Sequence, residues 1–251
     1  MGITKSSVRL LLDQSRKKNF QGSVLQLGRQ SVYLSWKELQ EYASLHEVEL
    51  RKVEKVNLSN FTDLADRNYI NDITLFQALG FQDVYSCDAS EFEGATYVFD
   101  LNYLVPESMY SQFDLIINGG TIEHIFHLPN ALLNIHKMLK IGGQIIHFAP
   151  TSNHVDHGFY CFSPTLFYDY YHANQYTIDS AYLFEQPFSD TTIGSWEIYH
   201  YQPGCLDQFS VGGLPGTFGT YFVATKTTSS TGDVIPQQNF YQKAYGSAPN
   251  Q

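Results

Sequence analysis

Short apolar runs alternate with segments of helical periodicity along most of this chain. Runs rich in apolar and β-branched residues predict strands at residues 23–28, 83–88, 95–100, 113–117, 144–150, 177–183 and 219–225. Periodic segments predict helices at residues 7–18, 35–46, 72–80 and 164–171, and a further helix that begins with Glu123, His124 and His127. Alternation of this kind is typical of an α/β fold.

Capping signals support several of these helices. Ser6 or Ser7 is placed to cap the first helix, and Ser35 and Glu38 have the spacing of a capping box. Pro164 stands at the first position of its helix, where proline is favoured. The predicted helix starts therefore have a physical reason besides periodicity.

Small and polar residues follow the predicted strands where each strand ends. Gly28 follows the first strand, Asp88 and Asp100 end the second and third, and Asn118 and Gly119 follow the fourth. In an open α/β sheet, ligands bind in the crevice at the carboxyl ends of the strands. We therefore expect these residues to lie beside a ligand.

The charge balance and the cysteines restrict the partners of the protein. The formal net charge is -10 with only 15 Lys and Arg residues, which argues against a general nucleic-acid-binding surface. We find neither an apolar run of membrane-spanning length nor the apolar core of a signal peptide. Cys87, Cys161 and Cys205 are widely spaced and form no CxxC pair. We expect a cytoplasmic protein with a small-molecule partner and with neither nucleic acid nor membrane; the oligomeric state stays open.

The length of 251 residues suits one α/β domain with additions. We predict an N-terminal helical extension at residues 1–21, a core domain at residues 22–226 and a polar tail at residues 227–251. The tail is rich in Ser, Thr, Gln, Asn and Pro, so we expect it to be poorly ordered unless Phe240, Tyr241 and Tyr245 dock.

Two segments carry a resemblance to a known family. Residues 113–125, which end in Asn118-Gly119-Gly120-Thr121-Ile122-Glu123-His124-Ile125, and residues 138–150 resemble the fourth and fifth strands of class I S-adenosylmethionine (SAM)-dependent methyltransferases. The resemblance covers residues 22–226 and is weak at residues 23–35, where the family's glycine-rich loop is replaced by Gly28-Arg29-Gln30. It implies a Rossmann-like, doubly wound, mostly parallel seven-stranded sheet whose last two strands form an antiparallel edge hairpin.

The resemblance also implies SAM as cofactor and a role for each residue near it. SAM lacks a pyrophosphate, so a degenerate glycine loop is tolerable. The implied contacts are Asp88 with the ribose hydroxyls, Asp100 and Leu101 with the adenine, Arg29 with the methionine carboxylate, and Gly28, Asn118 and Gly119 with the amino-acid part.

The residues that would activate a methyl acceptor are histidines near the same strand ends. Histidine is the usual base near neutral pH, and we favour His124 and His157, with His127 as a further catalytic candidate. Glu123 and His124 also resemble the metal-ligating pair of some methyltransferases that act on diols. In those proteins another Glu lies three residues upstream, where this chain has Gly120. We name His157 as the third ligand, and Asp156 and His154 stay open as alternatives. A divalent metal, a general base and a purely structural role all stay open.

We expect SAM-dependent O-methyl transfer to a hydroxyl of a small polar metabolite such as a sugar or sugar-nucleotide. The substrate class is an analogy from related bacterial proteins, because fold does not fix function. One alternative is a non-catalytic, methyltransferase-like binding protein, since the glycine loop is degenerate. Another is a metal-dependent enzyme on the same scaffold.

Overall fold

The computed structural model of the protein describes residues 2–185, 197–209, 213–214 and 216–246. The chain divides into two compact units. The first consists of Met1–Asp100 and Phe113–Gly119, and the second of Leu101–Gln112 and Gly120–Gln251. In the described part of the chain, no helix is both long enough and apolar enough to span a membrane.

The first unit is built on parallel strands. Its elements are β1 (Gly2–Ile3), α1 (Lys5–Lys17), β2 (Ser23–Leu27), β3 (Ser31–Val32), α2 (Trp36–Leu45), α3 (Thr62–Ala65), α4 (Asp72–Leu79), β4 (Asp83–Asp88), β5 (Tyr97–Val98) and β6 (Phe113–Gly119). The strands β5, β4, β2 and β6 are neighbours in that order, and each pair is parallel. Strands β1 and β3 form a separate two-stranded parallel sheet. All five residues of β2 are buried, as expected for a central strand.

The helix ends of the first unit follow the capping chemistry of the sequence, with one exception. Ser35 and Glu38 form both bonds of the predicted capping box of α2. The first helix begins at Lys5, and the side chain of Thr4 accepts the capping bond from the Ser7 amide. The predicted cap at Ser6 or Ser7 is therefore wrong, because three of the four residues from Thr4 to Ser7 carry a hydroxyl group and offer nearly equivalent caps.

The second unit is built on antiparallel strands. Its elements are α5 (Leu128–Met138), β7 (Leu139–Ser152), α6 (Pro164–Ala173), β8 (Thr177–Glu185), β9 (Ile198–His200), β10 (Phe218–Thr225) and α7 (Asn239–Tyr245). The strands are ordered β7, β10, β8, β9, and every pair in this order is antiparallel. The predicted antiparallel pairing of the last two strands is confirmed as β8 with β10.

The predicted Rossmann-like α/β class is confirmed, but the strand number is not. The first unit contributes β5, β4, β2 and β6, and the second contributes β7, β10, β8 and β9. The described strands of this fold therefore number eight rather than the predicted seven. The additional strand is β9, a three-residue segment that pairs with β8. The helix predicted to begin at Glu123 begins instead at Leu128, with Pro129 in its first turn. Glu123 and His124 lie in a separate 3-10 turn, Ile122–His124.

Aromatic side chains fill the core of the second unit. Phe167, Tyr171 and Phe222 are fully buried, and the Phe222 ring contacts the other two at centroid distances of 5.9 and 5.5 Å. His147 lies among them: its ring stacks on Phe167 at 4.4 Å, and its Nε2 is 2.7 Å from the Tyr171 hydroxyl. One of the nine histidines is therefore a core residue.

The polar tail is attached to the second unit by hydrogen bonds. The fully buried Asn174 accepts bonds at Oδ1 from the Thr231 hydroxyl and the Val234 amide. Its Nδ2 donates to the Val234 carbonyl, and the Asn239 amide donates to Asp169 Oδ2. Phe240, Tyr241 and Tyr245 are all exposed, so the described part of the tail docks through hydrogen bonds of its backbone and hydroxyl groups and not through those aromatic rings.

The buried histidine makes stability depend on pH in a predictable direction. Burial lowers the pKa of His147 to about 3, whereas an unfolded histidine has a pKa of about 6.5. Below pH 6.5, His147 is therefore protonated in the unfolded chain but stays neutral in the folded chain. The free energy of unfolding falls as the pH drops from 6.5 toward 3. Between pH 7 and 5 we expect this group alone to lower the free energy of unfolding by about 2 kcal/mol.

Urea unfolding of the His147→Gln variant at pH 7 and pH 5 tests this prediction. The amide can still bond with Tyr171 but does not titrate, so the variant should lose about 2 kcal/mol less than the wild type. His172→Gln is the matched control, because His172 is exposed on α6. The same pH dependence in His147→Gln and wild type would show that another group is responsible.

Candidate functional site

Four of the predicted cofactor-binding residues lie at one edge of the parallel sheet in the first unit. Gly28 directly follows β2, Asp88 ends β4, and Asn118 and Gly119 end β6. The last residue of β2 is paired with the carboxyl-end region of both neighbouring strands, so the three strands end side by side. Gly28 has a positive φ of 68°, and its amide donates to the Cys87 carbonyl at 2.8 Å. This conformation favours glycine and turns the chain at the sheet edge.

The two acids predicted to hold ribose and adenine are half-buried. Asp88 Oδ1 accepts a bond from the Ser90 amide at 3.1 Å, so one carboxylate oxygen also serves a local turn. Asp100 follows the short strand β5 in the first unit. Leu101 belongs to the second unit, where it is buried and its carbonyl accepts a bond from Asn134 Nδ2 at 3.3 Å.

Arg29 is held by the protein itself. Its Nη1 donates to the carbonyls of Glu93 and Gly94, each at 3.1 Å. Its Nε lies 3.4 Å from Oδ2 of the buried Asp72. A bond to a methionine carboxylate would therefore compete with an existing ion pair, and that role of Arg29 stays a prediction.

Sequence reasoning missed Gln30. Its side chain is buried and bends back over the turn, so that Nε2 donates to the carbonyls of Leu27 and Gly28. The one sequence signal for this residue is that a long polar side chain stands within the segment where the resembled family has a glycine-rich loop.

In the second unit, three predicted metal ligands come together as a Glu–His–His cluster, consisting of Glu123, His124 and His157. One potential ligand atom from each residue lies within 4.8 Å of the other two. His157 Nε2 is 3.7 Å from Glu123 Oε1, and the two imidazole rings are 5.1 Å apart between centroids. Glu123 and His124 come from the 3-10 turn, and His157 comes from the loop after β7.

The loop after β7 is fixed against the 3-10 turn by its backbone. The Glu123 carbonyl accepts bonds from the amides of Phe159 and Tyr160, at 2.9 and 3.3 Å. A Cβ atom at Gly158 would lie 2.9 Å from the Glu123 carbonyl oxygen and 3.2 Å from His124 Nδ1. Only glycine therefore lets the loop bring His157 this close to the turn.

The buried carboxylate of the cluster has no hydrogen-bond donor within the described part of the chain. Glu123 is 0% exposed, and neither of its carboxylate oxygens has a hydrogen-bond partner among the described residues. Burial raises the pKa of Glu123 to about 7. Burial and the nearby His157 lower the pKa of His124, which favours a neutral ring that can offer a lone pair. A buried carboxylate beside imidazole nitrogens is a donor set that fits Mn, Fe or Zn.

His154 lies beside the cluster, and His127 does not join it. The His154 ring centroid is 5.7 Å from that of His157, and its buried Nε2 also lacks a partner in the described structure. His127 is exposed, precedes α5 and contacts Phe126 with its ring. Its amide donates to Asn102 Oδ1 at 2.9 Å. The catalytic role predicted for His127 thus has no support from this placement.

Comparison with known proteins gives likenesses of structure alone. No family model matches the chain, and no curated protein matches it significantly in sequence. A 1,6-didemethyltoxoflavin-N1-methyltransferase from Burkholderia thailandensis, solved with S-adenosylhomocysteine (SAH), is 11% identical over 89% of this chain and 80% of its own, with a TM-score of 0.42. A SAM-dependent methyltransferase from Thermotoga maritima is 12% identical over 87% of this chain and 89% of its own, with a TM-score of 0.37.

A third likeness is of the same kind. A SAM-dependent methyltransferase from Archaeoglobus fulgidus is 13% identical over 88% of this chain and 95% of its own, with a TM-score of 0.39. These solved structures are SAM-dependent methyltransferases, the class of protein that the sequence resembles. With TM-scores of 0.37–0.42, these likenesses assign no chemistry to this chain.

Proposed function

We propose that the protein transfers the methyl group of SAM to a hydroxyl of a small polar metabolite, such as a sugar or sugar-nucleotide. The observation that carries this proposal is the buried, unpartnered carboxylate of Glu123 beside two imidazoles. Only Gly120, Thr121 and Ile122 separate it in sequence from Gly119, which ends β6 at the proposed cofactor edge.

The strand ends of the first unit fit SAM. The backbone turns at Gly28, which adds no side chain to the sheet edge. The carboxylates of Asp88 and Asp100 can accept hydrogen bonds from the ribose hydroxyls and the adenine amino group. SAM needs no nest of amides for a pyrophosphate, so the missing glycine loop does not argue against it. When bound, SAM supplies an electrophilic methyl group on a sulfonium.

The Glu–His–His cluster fits a divalent cation that serves the acceptor. Glu123 supplies negative charge, and His124 and His157 supply nitrogen donors. A divalent ion there would lower the pKa of an acceptor hydroxyl and so favour its reaction with the methyl group. Hydroxyl acceptors gain more from such activation than amines, which are nucleophilic when neutral; this supports O-methylation.

A second candidate function is a methyltransferase-like binding protein without catalysis. The observation in its favour is Arg29, whose guanidinium is committed to Asp72 and to two backbone carbonyls. Calorimetric titration with SAH, SAM and NAD distinguishes the two functions. We expect SAH to bind in the low micromolar range, about -8 kcal/mol, and NAD not to bind. Absence of binding by both SAH and SAM would favour the second candidate.

The Asp100→Ala variant is expected to weaken SAH binding by about 1–3 kcal/mol, because it removes an acceptor for the adenine amino group. Asp83→Ala is a matched control, since Asp83 is exposed at the amino end of β4, away from the carboxyl end where Asp88 lies. Both variants should be titrated beside the wild type. Undiminished binding by Asp100→Ala would remove this residue from the cofactor site.

A further inference from the structure

The side-chain amide of Gln30, in the first unit, uses only half of its hydrogen-bonding capacity. Gln30 is 5% exposed, and its Nε2 donates to the Leu27 carbonyl at 2.9 Å and to the Gly28 carbonyl at 3.2 Å. Both partners are acceptors, so the amide nitrogen must face them and the orientation of the amide is fixed. The oxygen Oε1 therefore points away from the turn, and it has no partner among the residues that the structure describes.

The unpartnered oxygen lies over the end of β6. A Cβ atom at Gly119 would be only 2.5 Å from Gln30 Oε1, so the amide can lie there only because residue 119 is glycine. This is the sheet edge where β2 and β6 end side by side. An unmet buried acceptor is costly, and native structures rarely leave one without a donor.

The amide is anchored by a buried polar chain. The backbone N–H of Gln30 donates to Gln26 Oε1 at 3.3 Å, and Gln26 Nε2 donates to Asp72 Oδ2 at 2.9 Å. Asp72 in turn holds Arg29. These contacts position Gln30 through its backbone N–H and its Nε2, and none of them uses Oε1.

We propose that Gln30 Oε1 accepts a hydrogen bond from the α-ammonium group of the cofactor's amino-acid part. This inference rests on the proposed function, because it requires SAM as the cofactor. It makes Gln30 a residue that contributes to cofactor binding. An ammonium group offers only donors, and a charge-assisted bond is stronger than a neutral one. Oε1 lies against Gly119, at the edge where β2 and β6 end side by side, and this is the edge proposed for the amino-acid part of SAM.

A thermodynamic cycle between protein and ligand tests the assignment. SAH and its analogue without the α-amino group are titrated by calorimetry into the wild type and Gln30→Met, a variant of similar shape without the acceptor. We expect Gln30→Met to bind SAH roughly tenfold more weakly and to bind the deaminated analogue as the wild type does. A weakening that is equal for both ligands would overturn the proposal, because Gln30 would then only hold the turn.

Two further variants separate recognition from folding. Gln30→Glu keeps an acceptor but loses both donor bonds, so it should bind SAH more tightly than Gln30→Met does; weaker binding than Gln30→Met would contradict the proposal. Gln144→Met removes another buried glutamine amide, in β7, and should leave SAH binding unchanged. If the wild type binds neither SAH nor SAM, the proposed function fails together with this inference. If it binds both but shows no coupling, only this inference fails.

Discussion

The Glu123→Gln variant is expected to lose divalent-metal binding and to lower methyl transfer at least about 100-fold. Replacement by an amide removes the negative charge but keeps the shape, so the 3-10 turn should be retained. Because the wild-type carboxylate is buried without a hydrogen-bond partner, the variant should be no less stable than the metal-free wild type. A drop in activity without a drop in stability would be a functional effect rather than a folding defect.

The measurements for Glu123 are metal content after dialysis, unfolding in urea with EDTA, and methyl transfer from labelled SAM to a panel of sugars and sugar-nucleotides. Glu107→Gln is the control, since Glu107 is an exposed acid of the same unit. EDTA should inhibit the wild type, and added Mn²⁺, Fe²⁺ or Zn²⁺ should restore it. Activity that survives both the variant and the chelator would show that neither a metal nor Glu123 takes part.

The Gly28→Val variant is expected to abolish SAH binding, with a loss of at least about 100-fold. A β-branched side chain is strained at the φ of 68° that Gly28 adopts, and it would occupy the edge where the strands end. Strain alone also destabilises the fold, by about 1–3 kcal/mol. Binding must therefore be compared with a variant that carries the same strain elsewhere.

Gly142→Val provides that comparison. Gly142 has a φ of 79°, its amide donates to the Lys226 carbonyl, and no atom lies within 4 Å of the position of an added Cβ. Both variants should unfold at similar, lowered urea concentrations, and only Gly28→Val should fail to bind SAH. A folded Gly28→Val protein that binds SAH normally would place the cofactor away from this turn.

Those parts of the fold that depend on local chemistry are predictable from the sequence. The capping box of Ser35 and Glu38, the helix that begins at Pro164 and the buried strands follow from residues that are close together in the chain. The strand β9 is not predictable in this way, because it has only three residues and exists through its pairing with β8.

In the candidate site, too, residue types are predictable from the sequence and tertiary contacts are not. The adjacent Glu123 and His124, and the later His157, can be selected from the sequence because their side chains are typical of metal and acid–base sites. The burial of Glu123 and its lack of hydrogen-bond partners among the described residues cannot be predicted from the sequence, since both depend on the close approach of Gly158 to the 3-10 turn. The pairing of Arg29 with Asp72 joins residues 43 positions apart. It cannot be predicted from the sequence, because it depends on how the chain folds between them.

The bonds of Asn174 bear on how this chain can be shortened. A boundary drawn from composition falls near residue 226, where the polar tail begins. Removal of the tail would leave a fully buried amide group without its bonds to Thr231 and Val234, and would remove the bond from Asn239 to Asp169 on α6. The core of the second unit therefore needs residues whose composition is that of a dispensable tail, and a chain truncated near residue 226 would lack part of its own interior.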